Sequence, residues 1–187
     1  GSAINDFMRP DRVVIGTDSK KSEQIMQEIY RPLYLLETPI VTTSIETAEI
    51  IKYASNSFLA TKISFINQVA DLCEAVGGNI QDVSKAMGLD KRIGSKYLHA
   101  GPGFGGSCFP KDVKALAAVA KSSKVNSKML DATLKVNETQ PKIIIKMAED
   151  RIGKLKNKKI AVLGLAFKPD TDDVRETRSE VVINDLI

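Results

Sequence analysis

From Ile45 to Val76 the chain carries neither proline nor glycine, and apolar residues recur at Ile51, Ala54, Phe58, Ile66, Val69 and Cys73. This spacing predicts one amphipathic helix of roughly 30 residues, about 45 Å long at 1.5 Å per residue. A small domain does not need a helix that long, so it is expected to form the spine of a bundle or a subunit interface. Thr43 and Glu46 have the spacing of a capping box that would open it, and Gly77 with Gly78 would end it.

Before the long helix, "RVVIGT" (12–17) and "PIVTTS" (39–44) read as short strands. Between them "KSEQIMQEIY" places Ile25 and Ile29 at helical spacing and is expected to stop near Pro32. The result is a β-α-β unit too small for a complete domain. The opening "GSAINDFMRP" reads as a chain entered in mid-domain, although its first two residues could be mistaken for a tag scar. After the long helix, Asn79 is a plausible cap for a short helix, "IQDVSKAM", closed by Gly88. Pro110 suits the first turn of another helix over 111–123. A further helical stretch, 127–150, is expected to bend or break at Pro141. "KIAVLGLAF" reads as a buried strand, followed by a polar loop and then "EVVINDLI". No internal repeat is evident. The fold class is mainly α: a central helical domain over 45–155, flanked by incomplete α/β, Rossmann-like segments over 1–44 and 156–187. That pattern reads as a fragment.

Composition changes this picture little. Hydrophobic residues make up 43% and charged residues 27% of 187, values ordinary for a soluble globular protein. The net charge is +4, densest in "GKLKNKK" (153–159), which reads as a solvated turn. No basic block interleaved with aromatics supports nucleic-acid binding. No run is long and apolar enough to span a bilayer, and no signal peptide is visible. Cys73 falls on an apolar helical stripe with Ile66, Val69 and Val76, which points to core packing. A disulfide to Cys108 is not expected, and the chain reads as cytoplasmic.

The candidate chemistry lies in "GPGFGGSCFPKD" (101–112). Gly101, Gly103 and Gly106 satisfy G-x-G-x-x-G, but a dinucleotide fingerprint needs a strand before it and an acidic residue about 20 positions on. Helices flank this loop instead, so the match is accidental, and no Walker lysine follows. Glycines do let backbone N–H groups approach phosphate or sugar oxygens. Cys108 stands immediately ahead of a helix, where unpaired N–H groups and the helix dipole favour a thiolate. Lys111 adds positive charge, and Asp112 in the first turn can hold a water or share a proton. A buried cysteine after a flexible loop is the plain alternative. Lys52 and Asn56, four apart on the long helix, share a face and could stabilise an oxyanion, though such a pair is commonly a solvated surface. The sole histidine, His99, stands nine residues before Cys108. A Cys–His hydrolase or acyltransferase dyad is the rival mechanism, and it lacks a visible third partner.

"GPGFGGSCFPKD", with "KYASNSFLATKISFINQ" upstream, "RIGSKYLHAGPGFGGSC" and "GLAFKPDTDDVRETRS" downstream, resembles the nucleotide-sugar 6-dehydrogenases over essentially the whole chain. The resemblance implies two NAD-dependent hydride transfers that turn a sugar C6 alcohol into a carboxylate, with UDP-glucose as substrate and UDP-glucuronate as product. UDP-N-acetylmannosamine and GDP-mannose are the alternative substrates. It implies that Cys108 attacks the intermediate aldehyde to give a thiohemiacetal, then a thioester. Lys52 and Asn56 would stabilise oxygen charge, and Asp112 would organise water and proton movement. It further implies substrate contacts from Tyr97, Phe104, Gly105 and Lys168, with Arg92 reaching a substrate on a partner subunit. Arg175 and Lys111 would lie at the cofactor. Packing (Tyr97, Phe104) and ordinary surface charge (Arg92, Arg175) are the plain alternatives. A homodimer or higher oligomer through the central helix follows, whereas these residues alone are expected to dimerise without turnover. A bare oligomerisation module is the non-enzymatic alternative.

Overall fold

A computed structural model describes residues 3–34 and 38–187. Gly1 and Ser2, on which the tag-scar reading falls, lie outside the described residues. The chain forms two compact units, Gly1–Ala54 and Ser55–Ile187, and the division falls inside the long helix.

The first unit holds α1 (Ala3–Met8), β1 (Val13–Gly16), α2 (Lys20–Tyr34) and β2 (Ile40–Thr43). The strands pair in parallel, Val13 opposite Ile40 and Gly16 opposite Thr43, with α2 as the crossover that parallel pairing requires. Val13, Ile15 and Leu33 form the core, against which Met26, Tyr30 and Ile40 pack. The inward stripe of α2 is therefore Met26, Tyr30 and Leu33, and the expected Ile25 and Ile29 face outward, both exposed. Helix α2 stops near Pro32 as expected, running two residues past it to Tyr34. So near the helix end, proline removes one i→i−4 bond and interrupts little else.

The long helix α3 spans Ile45–Val76, 32 residues, about 48 Å at the standard rise. Its cap differs from the expected Thr43–Glu46 box. Ser44 Oγ accepts from Thr47 N–H at 3.2 Å, one residue later. In the second unit follow α4 (Ile80–Leu89), α5 (Phe109–Ser122), α6 (Lys128–Ile152) and α7 (Arg178–Leu186). Asn79 caps α4 as expected, its Oδ1 accepting from Gln81 N–H at 2.9 Å. Gly88 does not close α4, which runs one residue past it.

Helix α6 continues through Pro141, which is buried in its middle, without the expected break. Ala60, Phe104 and Val113 form the core of this unit, joined by Ile63, Phe109, Leu130 and Leu134. Polar groups line the seam of α3 with α6: Ser64 Oγ donates to Thr133 O at 2.9 Å, and the Thr61 and Thr133 hydroxyls meet at 3.0 Å. Cys73 is buried as expected, whereas Phe58 and Val76 stand exposed.

The expected strand at 159–167 does not form. Ile160 and Leu165 are about half exposed and Leu163 almost fully so. An apolar run becomes a strand only when a neighbour completes its hydrogen-bond ladder, and among the described residues none lies beside it. The segment 164–179 instead folds against the glycine loop. The mainly helical class holds, with β-α-β structure in the first unit and no strand in the third stretch among the described residues.

Candidate active site at the N-terminus of α5

Cys108 is the N-cap of α5, exposed and free, with its Sγ 3.7 Å from Ser107 Oγ. Pro110 occupies the first turn, where its missing N–H costs no helical bond. The Cys108 carbonyl accepts from Asp112 N–H at 2.9 Å, which fixes the thiol one turn from the Asp112 carboxyl group. Asp112 is fully buried. Asn56 Nδ2 donates to its Oδ2 and Lys111 Nζ to its Oδ1, both at 2.6 Å. These short charge-assisted bonds compensate burial of the acid. Asn56, Lys111, Asp112 and Cys108 therefore form one connected group, as the sequence suggested for three of them. Lys111, assigned to the cofactor, is engaged with Asp112.

Left-handed φ at Gly103 (102°) and Gly106 (84°) shapes the loop before the thiol. A Cβ on Gly105 would collide with Glu176 O, and one on Gly106 would meet the Phe167 ring at 2.7 Å. Gly106 N–H donates to Arg175 O at 2.9 Å. The glycines thus serve close backbone contact with the 164–179 segment, which carries Lys168 and Arg175. The Lys168 ammonium stands 5.4 Å over the Phe167 ring. Arg175 Nη2 pairs with Asp173 Oδ2 at 2.7 Å, and this bond holds the Asp173 carboxyl down at about 2. The same bond, with a smaller contribution from the Cys108 sulfur, raises the Arg175 guanidinium. Arg175 is thereby within electrostatic reach of the thiol.

Phe104 is buried in the core and meets Phe109 edge-on at 6.1 Å, while the Tyr97 ring packs on Phe109 at 5.8 Å. Tyr97 has φ 66°, a left-handed conformation uncommon outside glycine and often kept at functional sites. Arg92 stands apart, largely exposed, its guanidinium on Asp90 at 2.6 Å. Lys52 belongs to the first unit, where its Nζ lies 5.3 Å over the Tyr53 ring. His99 is exposed.

Two residues escaped the sequence reading. Asn67 of α3 and Asn137 of α6, both buried, hold the loop backbone at Gly101 and Phe104. They share their buried helical stripes with other polar residues, Ser64 on α3 and Thr133 and Gln140 on α6, so local spacing did not single them out. Among the described residues no cluster of three metal-ligating side chains occurs, and no helix is long and apolar enough to cross a membrane.

This fold is shared with a solved UDP-glucose dehydrogenase of Pyrobaculum islandicum. The two superpose with a TM-score of 0.94 at 44% identity, covering all of this chain and 42% of that one. The fold is that of nucleotide-sugar dehydrogenases. The chain belongs to the UDP-glucose/GDP-mannose dehydrogenase family, whose central-domain model matches residues 46–139. UDP-glucose 6-dehydrogenases of Rhizobium meliloti and Rickettsia felis match it at 51% and 52% identity over its whole length. The chain spans 43% and 42% of those relatives.

Proposed function

We propose that the protein carrying these residues is an NAD-dependent UDP-glucose 6-dehydrogenase. The observation that carries this reading is the exposed Cys108 thiol at a helix N-terminus, one turn from the buried, doubly bonded Asp112. The names of relatives matching the whole chain at about half identity support UDP-glucose over UDP-N-acetylmannosamine or GDP-mannose.

The chemistry assigned to this chain starts with the aldehyde of the half-oxidised sugar. The Cys108 sulfur, exposed at the N-terminus of α5, adds to the carbonyl carbon and forms a C–S bond, and its proton leaves to solvent. The carbonyl π electrons move onto oxygen, where the side-chain amide of Asn56 and the ammonium of Lys52 are the assigned stabilising groups. NAD supplies the hydride acceptor in each of the two oxidations. Water then attacks the thioester, the C–S bond breaks, and the thiol is regenerated; Asp112 is assigned to organise water and proton movement through the Asn56 and Lys111 groups bonded to it. The balance is alcohol, two NAD⁺ and water giving carboxylate, two NADH and three protons.

The fit to the cofactor is partial. Arg175 offers an exposed cationic contact, and Lys111, bonded to Asp112 and largely exposed, offers a second. No glycine fingerprint follows β1, so these residues do not supply a dinucleotide cradle. We assign Tyr97, Phe104, Gly105 and Lys168 to the sugar nucleotide, Phe104 through its backbone because its ring is in the core. Arg92 is assigned to a substrate on a neighbouring subunit; its exposure allows that reach.

The oligomer rests on α3. Phe58, Phe65 and Leu72 repeat every seven residues and are 66%, 51% and 60% exposed, an apolar seam of the kind that helices bury against one another. A free thiol nucleophile further favours a reducing, cytoplasmic setting.

The test is NADH yield from limiting UDP-glucose with the full-length protein. Two NADH per sugar, lost in Cys108→Ala, is the expected result. Turnover only with another nucleotide sugar would change the substrate, and none with any would leave an assembly module. Residues 1–187 alone are expected to form dimers and yield no NADH.

A further inference from the structure

Asn137 lies in α6, 5% exposed, and gives both ends of its amide to one backbone residue. Phe104 N–H donates to Oδ1 at 2.6 Å, and Nδ2 donates to Phe104 O at 3.0 Å. A neighbouring β-strand would offer the same pairing; here one side chain supplies it to a loop. The amide can point only this way, because its oxygen must face the donor and its nitrogen the acceptor. Gly103 makes room for it: a Cβ there would fall on Asn137 Oδ1, and Arg178 Cδ closes the same space at 3.5 Å.

The loop has a tie at each end. Gly101 N–H donates to Asn67 Oδ1 at 2.8 Å, and Gly106 N–H to Arg175 O at 2.9 Å. Between them Asn137 holds the middle. A cleft of about 330 Å3 lies alongside, lined by Phe104, Leu134, Asn137 and Arg178 among others. A loop released by a shorter side chain at 137 has room to settle into it.

We propose that Asn137 is a positioning residue for the loop that receives the sugar nucleotide. It holds the Phe104–Gly105 backbone where it meets the substrate and touches no reacting atom. The functional half of this inference rests on the dehydrogenase reading; the structural half does not.

The test uses Asn137→Ala and Asn137→Asp in the full-length protein, read by amide hydrogen exchange and by steady-state kinetics. In Asn137→Ala, exchange across 101–107 should accelerate about ten-fold, with α3 and α5 unchanged. KM for UDP-glucose should rise about ten-fold while kcat and KM for NAD stay within about two-fold, the split expected for lost ground-state positioning. Asn137→Asp keeps an acceptor for Phe104 N–H and loses the donor, so it should fall between; it carries the test if the alanine variant does not fold. Unchanged loop exchange, or an unchanged KM for UDP-glucose in a folded variant of an active parent, overturns the proposal. Failure of both variants to fold overturns it too, making Asn137 a folding residue. Faster loop exchange in a parent that oxidises no nucleotide sugar supports the loop-holding role and refutes the dehydrogenase reading.

Discussion

Asp112 keeps a carboxyl group without exposure to water, and the donors at 2.6 Å from Asn56 and Lys111 make that tolerable. Removing a donor from a buried acid costs more than the hydrogen bond itself contributed, because the acceptor is left desolvated. Asn56→Ala should therefore lower stability by about 1–3 kcal/mol, read by urea unfolding, as well as slow turnover. Asp173 shows the half-buried counterpart. Its carboxyl is held at about 2 by Arg175, below its ordinary 3.8. A depressed acid contributes stability that is fully present above the unfolded value and is lost as pH falls through the folded one. The anchoring of the 164–179 segment should thus weaken between about pH 4 and pH 2. In Arg175→Met the Asp173 carboxyl, followed by carbon NMR, should titrate near 4 instead of near 2.

At the scale of elements, the sequence was most legible where one helix decides its own fate. The absence of glycine and proline placed α3 correctly from Ile45 to Val76. Asn79 and Pro110 marked helix starts for local reasons, and with them the position of Cys108 at the head of α5 was legible. Readings failed where a partner decides. Ile25 and Ile29 had the right spacing, but the stripe one residue on, Met26 and Tyr30, meets the core. Residues 159–167 had strand composition but, among the described residues, no strand to pair with. Asn67 and Asn137 were hidden because an amide's partners across the fold leave no trace in local spacing. The contact of the glycine loop with the 164–179 segment was equally invisible, and it makes a prediction. Gly106→Ala puts a Cβ into the Phe167 ring at a φ of 84°. It should release residues 164–177 to limited proteolysis while the helical circular dichroism stays unchanged.

For the whole molecule, the exposed seam on α3 is a source of apolar burial open to assembly. Each large side chain covered there contributes about 1.5–3 kcal/mol, so three per protomer are enough to matter to assembly. Phe65→Asp places an unpaired charge in the middle of the seam. It should convert the proposed dimer to monomers in sedimentation velocity, with the Cys108 thiol still alkylated by iodoacetamide.

Gly103 and Asn137 occupy one shared volume, 34 positions apart in the chain. Their histories must therefore be linked. A larger residue at 103 is barred while the asparagine stands, and a smaller one at 137 releases the loop while the glycine stands. Their substitutions should be non-additive, with the clash part of a Gly103→Ala penalty vanishing in an Asn137→Ser background. Any lineage that exchanges this pair must cross a less fit intermediate or change both at once, so the asparagine and the glycine should be inherited together.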